Sequence, residues 1–443
     1  MQIVGVLVLA LGIALWLYCR SLAVKRTMDI LDLTLGFFLM LFVFRGLILI
    51  FRLDTPWLEL FVNAEEVDLL VTVALLHVYV WIFIVCLAAP FGYKLAAENP
   101  WQKSEKYSFS RNDMVTAAFL FSLMSLVLTA PQVFSFGGVG NMAAAYKLGT
   151  DENINRWTRL PSVLGTIWSA AAIIHIRENT GRSPWMGKKF LLAAALFMAC
   201  GYMSFLFGAR DSIVFGLLGI VLAPYIGRNL NTKNLLRLVM VVPVILLVAA
   251  SFRFARDNIL YDHTIWLLGE DVGLFRSLSL AANLMALDSI MVLVRDIPVT
   301  FPRFGALPFI DGFRGIPIVG PRIFGSTQEF ENLARETLRL YYPWRLNGNP
   351  ITAIGDWYVS FNIYGFLVGA LFSGLLLGYI QGKTRLISVR PFMFIVTLFL
   401  ATRFLAFGYW ANTPTLFFNV ILPIVLSASI VILTRSILSK LKH

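Results

Sequence analysis

Charge is scarce in this chain. Asp, Glu, Lys and Arg together make up 14% of its 443 residues, against about a quarter in a soluble globular domain. That shortage excludes an ordinary water-soluble fold. Cysteine is scarcer still: Cys19, Cys86 and Cys200 are the whole set, each in or at the end of an apolar run and without CxxC spacing. A disulfide framework and a thiolate metal site are thereby excluded. Histidine is equally thin, and His77, His175, His263 and His443 are too scattered for a zinc cluster. No metal and no cofactor is expected.

What the chain has is apolar length, with 58% of its residues hydrophobic. A membrane span needs ~20 mostly apolar residues to cross ~30 Å of hydrocarbon. Such runs fall near residues 3–19, 33–53, 67–90, 113–133, 160–176, 190–208, 212–227, 236–254, 356–381, 391–407 and 415–434. The fold class expected is therefore an all-α polytopic integral membrane protein with about eleven transmembrane helices. The first run has no positive residue before it, while Arg20, Lys25 and Arg26 follow it. A cleavable signal carries its charge in front, so this run reads as a retained span with the N-terminus outside.

The net charge of +12 raises the question of nucleic acid. Its distribution answers no. The basic residues fill alternate loops: Arg20, Lys25, Arg26; Lys94, Lys103, Lys106, Arg111; Arg177, Arg182, Lys188, Lys189; Arg228, Lys233, Arg237; Lys383, Arg385, Arg390; and Arg435, Lys440, Lys442. These are 20 of the 37 Lys and Arg residues. The 54–66 loop carries none, and holds Asp54, Glu59, Glu65 and Glu66 instead. Alternation of this kind is the positive-inside rule, and it sets the C-terminus in the cytoplasm.

The spans divide the chain into 1–254, an N-terminal bundle of about eight; 255–355, a large extracytoplasmic loop with amphipathic helices; and 356–443, a C-terminal bundle of about three. Within the loop, 272–294 is apolar enough to pass for a span but contains Arg276, Asn283 and Asp288. A crossing there would force the basic 382–390 loop outside. It reads instead as an amphipathic or re-entrant helix packed at the outer surface. Pro302, Pro308, Pro317 and Pro321 with Gly305, Gly312, Gly315 and Gly320 then break regular helix. Residues 326–342 predict a short amphipathic helix, with Ser326 as N-cap and Glu329 three residues on.

Lysine is absent from this loop. Together with Arg253, two residues before it, the loop gives ten arginines: Arg253, Arg256, Arg276, Arg295, Arg303, Arg314, Arg322, Arg335, Arg339 and Arg345. Guanidinium is a planar fork suited to phosphate and carboxylate, whereas ammonium is a point charge. An outer cavity lined this way suits a lipid pyrophosphate or an acidic sugar. Pairing with nearby Asp and Glu, or contact with headgroups, is the bland alternative for each arginine singly.

Two clusters stand out. Gly208-Ala209-Arg210-Asp211 joins two spans through almost no loop, and Arg253-Phe254-Ala255-Arg256-Asp257 closes the eighth span on the same side. Charges at membrane depth usually face a wet cavity or a partner. Arg45 and Arg403 lie in or near the outer ends of spans two and ten, while Arg52 can snorkel to the surface. Tyr409 and Trp410 follow Gly408 in an outer turn, as interfacial-belt residues or as sugar-stacking ones. The candidate binding set is Arg210, Arg253, Arg256, Arg322, Arg339, Arg403 and Tyr409. Outer-face groups able to take a hydroxyl proton are Asp257, His263, Glu329, Glu331 and Asp356; Asp257, His263 and Asp356 form the candidate catalytic set.

The segment from Asn349-Pro350 through Asp356-Trp357-Tyr358-Val359-Ser360-Phe361-Asn362-Ile363-Tyr364-Gly365-Phe366 leads into a Gly-rich span. It resembles the end of the outer loop in bacterial oligosaccharide repeat-unit polymerases, the O-antigen polymerase (Wzy-type) class. There an acidic residue and an aromatic precede an Asn-Phe-Gly-x-x-Gly-like stretch. Asp356 stands at the acidic position, and the Phe-Asn-Ile-Tyr-Gly order departs from the family's. The Gly-Ala-Arg-Asp turn resembles the family's Gly-x-Arg turn, and the plan of many spans with one late outer loop matches throughout. The motifs cover some twenty-five residues.

The resemblance implies a GT-C-type helical fold in the bacterial cytoplasmic (inner) membrane, with its active face extracytoplasmic. It implies a glycosyltransferase that joins undecaprenyl-pyrophosphate-linked glycan repeat units of O-antigen, capsule or exopolysaccharide. The lipid-linked oligosaccharide is then both donor and acceptor. Membrane lipids and a chain-length regulator are the other partners, and nucleic acid is none. Arginines would stabilise the developing pyrophosphate charge. An O-antigen ligase or other lipid-linked-sugar glycosyltransferase, a lipid-linked oligosaccharide flippase, and a non-enzymatic assembly component remain open beside it.

Overall fold

The computed structural model describes residues 10–11, 14, 39–53, 64–97, 109–139, 141–142, 159–179, 187–206, 211–225, 286–296, 322–323, 353–384, 391–401 and 421–440. The elements among them are all helical: α1, a π-helical turn Leu39–Phe44 continuing as Arg45–Ile50; α2, Ala64–Ala97; α3, Arg111–Ser135; α4, Leu160–Asn179; α5, Lys188–Leu206; α6, Asp211–Leu222; α7, Ala286–Asp296; α8, Ala353–Thr384; α9, Pro391–Ala401; and α10, Leu422–Lys440. Glu66–Ala96, Arg111–Ser135, Leu160–Glu178 and Trp357–Gly382 are long and apolar enough to cross a membrane. On α3, Leu120, Leu123, Leu126, Val127 and Phe134 stay exposed, a surface that suits lipid and would be a liability in water.

Local chemistry sets the helix ends. Ser110 starts α3 with a capping box: its Oγ accepts from the Asp113 N–H, and Asp113 accepts from the Ser110 N–H at 2.8 Å. α3 ends where Gly137 takes φ +70° and the Gly138 N–H returns to the Val133 carbonyl. α1 closes with the same bond pattern, Arg52 N–H to Leu49 O and Leu53 N–H to Ile48 O. There the left-handed position is held by Arg52, at φ 53°.

Two compact units are interleaved along the chain: α1, α2, α7 and α8 form one, and α3 to α6 with α9 and α10 form the other. In the first, glycines let α2 and α8 touch backbone to backbone. A Cβ on Gly374 would lie 2.5 Å from the Val85 carbonyl oxygen, one on Gly378 would collide with the Ala89 carbonyl, and one on Gly382 would press on Ala96 at 2.5 Å. Gly92 answers from α2, against Leu375 and Tyr379. This is the small-residue packing of membrane helices, where no hydrophobic force draws helices together and close van der Waals contact must. Contacts advance together along both helices, so α2 and this part of α8 run parallel.

α8 is not one straight rod. Asn362 sits at φ 57°, ψ −143°, which breaks the helix. In a straight helix Trp357 and Gly369 would stand ~18 Å apart, yet a Cβ on Gly369 would strike the Trp357 ring, and one on Gly365 would strike the Trp357 carbonyl. The limb 353–361 therefore folds back on the limb 363–384. The span expected near 356–381 is present as an apolar helix long enough to cross, with the break at Asn362 inside it.

Of the amphipathic or re-entrant helix expected over 272–294, the described part is α7, residues 286–296, in which seven successive residues, 287–293, are buried. A helix lying on a surface would leave one face open. α7 is inserted, packed on α2 and on the π turn of α1. Residues 272–285, the 326–342 helix and the 236–254 span lie outside the described residues.

In the second unit α4 is the central helix. Trp168 stacks on Phe392 at 3.9 Å, Phe109 meets both rings edge-on, and the Trp168 indole N–H donates to Ser427 at 3.2 Å. Bases gather at one end of this unit. Lys189 donates to Asn112, Arg435 pairs with Asp113 at 3.6 Å, and Arg111 lies within electrostatic reach of His175. Arg177, at the close of α4, donates to the Ile220 carbonyl at the close of α6.

Candidate functional site

The first unit concentrates its polar and aromatic groups in one layer. Gly46 on α1 packs against Leu75, which sets the level of Arg45 along α2. Arg45 is fully buried and grips the carboxylate of Asp288 on α7 through two bonds, Nε to Oδ2 at 2.9 Å and Nη2 to Oδ1 at 3.0 Å. The π-helical turn that precedes Arg45 is a rare local register shift, of a kind frequent at functional sites.

Two residues beyond Leu75, about 3 Å along α2, His77 fills the crook of broken α8. Its ring stands edge-on to Tyr358 on the folded-back limb, at 5.8 Å, and to Phe366 on the long limb, at 5.7 Å. Trp81 continues the cluster against Phe366. His77 Nδ1 lies 2.8 Å from the Val73 carbonyl. A carbonyl only accepts, so Nδ1 carries the hydrogen in this contact.

The layer lies ~25 Å of helix from Lys94 on α2. Lys383 follows Gly382, which packs beside Tyr93 and Ala96, so both lysines mark the far end of the unit. Toward the other end α2 begins with Glu65, Glu66 and Asp68.

The sequence candidates fare unevenly. Asp356 is placed on the short limb of α8, two residues before Tyr358. Arg322 is described and exposed. Arg210, Arg253, Arg256, Asp257, His263, Arg339, Arg403 and Tyr409 lie outside the described residues. Among the other loop arginines, Arg295 follows the bland alternative: it forks onto its neighbour Asp296, at 2.6 and 2.9 Å. No group of residues suited to hold a metal occurs among the described residues.

His77 was missed by sequence reasoning. A lone histidine in an apolar run carries no local signal, and only the fold-back of α8 gives it surroundings. The hydroxyls of Tyr79, Ser360 and Ser373 in this unit are buried without a hydrogen-bond partner. In the other unit Ser125 and Thr129 are likewise, whereas Ser122, Thr166 and Ser169 bond back to their own helix or to a neighbour.

No family model, curated protein or solved structure matches this chain.

Proposed function

We propose that this protein is a GT-C-type membrane glycan polymerase with about eleven spans, acting at the outer face of the bacterial cytoplasmic membrane. It joins oligosaccharide repeat units carried on undecaprenyl pyrophosphate. The observation that carries the reading is the folding of the Asp356–Phe366 segment, which bears the family resemblance. Its break at Asn362 turns the limb with Asp356 onto Gly365 and Gly369, beside His77. His77 and the limb that bears Asp356 then meet beside aromatic rings able to stack on a sugar.

Charge supports the choice of face. The lysines end α2 and α8, and the bases of the second unit gather at one end, as cytoplasmic ends do. The His77 layer then lies toward the outside, where a lipid-linked glycan is presented. The reaction needs a base for the acceptor hydroxyl, from Asp356, His77, Asp257 or His263. It also needs cations for the departing lipid pyrophosphate. The loop supplies those in the guanidinium form, with Arg210, Arg253, Arg256, Arg322, Arg339 and Arg403 as the candidates. The leaving group is built into the donor, so no nucleotide enters the scheme.

The broken helix also favours a second reading, a lipid-linked oligosaccharide flippase, since discontinuous helices form transporter sites. The sugar ladder separates them. Deletion that leaves a single repeat unit on the acceptor, with Arg210→Ala and Arg256→Ala failing to restore length, is the polymerase outcome. Loss of that single unit as well points to flippase or ligase, and an unchanged ladder rejects the polymerase.

A further inference from the structure

We propose that Arg45 and Asp288 form a latch that holds α7 as an inserted, non-crossing helix, and so position the arginine-bearing outer loop on both sides of it. Three observations meet here. α7 has 11 residues, about 16 Å of helix and half a bilayer. It is buried all round from 287 to 293, so it is enclosed by protein rather than laid on a surface. Its carboxylate is matched by a guanidinium in two-bond register, with both side chains at 0% exposure.

The direction of α7's neighbours argues the same way. α2 and the long limb of α8 run parallel, with Val85 against Gly374 and Ala89 against Gly378. Helices crossing a bilayer in the same direction are separated by an odd number of crossings. The sequence gives five spans between them: 113–133, 160–176, 190–208, 212–227 and 236–254. A sixth crossing through 272–296 would make α2 and α8 antiparallel. On that span count the α7 region enters and leaves on one side.

Electrostatics explain why a charge pair does this work. An unpaired carboxylate in this apolar setting is costly, and so is an unpaired guanidinium. Each makes the other's burial tolerable, so α7 is stable in place only when its Asp288 meets α1. An apolar side chain at either position would pack in many registers, whereas a two-bond fork fixes one. The positional role toward the loop arginines rests on the polymerase reading; the latch itself does not.

The test uses thiol labelling in a full-length chain with Cys19, Cys86 and Cys200 replaced by alanine. Thr264→Cys and Ser326→Cys flank α7, and both are expected to react with a membrane-impermeant maleimide added to intact cells. Labelling from opposite sides would overturn the non-crossing helix. In the same background Ser289→Cys reports on α7 itself. Arg45→Ala or Asp288→Ala is expected to raise its modification rate by about tenfold or more, as local opening does. The exchanged pair Arg45→Asp with Asp288→Arg restores protection. Unchanged protection in the single variants, or an exchanged pair no better than they are, overturns the latch. Labelling is read without polymer, so a ladder indifferent to Arg210 and Arg256 rejects the polymerase and leaves the latch standing.

Discussion

Arg45 and Asp288 are 243 positions apart in the chain, and they meet through two hydrogen bonds with neither side chain exposed. Removal of Arg45 strands the buried Asp288 carboxylate. Arg45→Ala is expected to cost about 3–5 kcal/mol, while Arg45→Met with Asp288→Leu recovers most of it. Thermal unfolding of the detergent-solubilised protein measures both. Equal loss in the single and double variants would mean that packing volume, not charge, governs the site.

The contact between α2 and α8 predicts a gradient among glycines. At Gly378 a methyl group meets backbone that cannot rotate away, so Gly378→Ala costs about 2 kcal/mol or more. At Gly216 the obstacle is the Phe197 ring, which can turn, so Gly216→Ala costs about 1 kcal/mol or less. A reversed order of melting temperatures contradicts the backbone contact.

Asn362 holds a backbone conformation that side chains rarely adopt, and its own Oδ1 accepts from the Ile363 N–H at 2.7 Å. Asn362→Gly is expected to be near neutral, whereas Asn362→Leu costs about 1–3 kcal/mol. The same assay reads both. In whole cells Asn362→Leu also shortens the ladder if the folded-back limb carries the acid of the reaction.

On the polymerase reading, Asp356 and His77 divide the proton chemistry testably. Substitution of the group that takes the acceptor proton lowers polymer formation by about 100-fold or more at normal protein level. Asp356→Asn keeps shape and loses the charge. His77→Phe keeps the edge-on packing against Tyr358 and Phe366 and loses the ring nitrogens. If both variants make full-length ladders, the base lies elsewhere, with Asp257 and His263 next.

Arginine identity at the outer face is a further check. Arg256→Lys preserves charge but not the planar fork, and is expected to behave like Arg256→Ala in ladder length. Full rescue by lysine would mean that charge alone suffices there.

The sequence by itself determined the class of the protein and much of its helix plan. Apolar length and the alternation of Lys and Arg act locally, within a run or a loop, so they are legible in order along the chain. The glycines at 374, 378 and 382 are visible as a pattern, but nothing local says that they meet Val85, Ala89 and Ala96. Tertiary structure alone decided that Arg45 finds Asp288, that α7 is buried rather than laid on the surface, and that α8 folds back at Asn362 to enclose His77. Each depends on segments far apart in sequence coming to one depth. Burial of a charge, and tolerance of a strained residue, are properties of what surrounds them rather than of the residue itself.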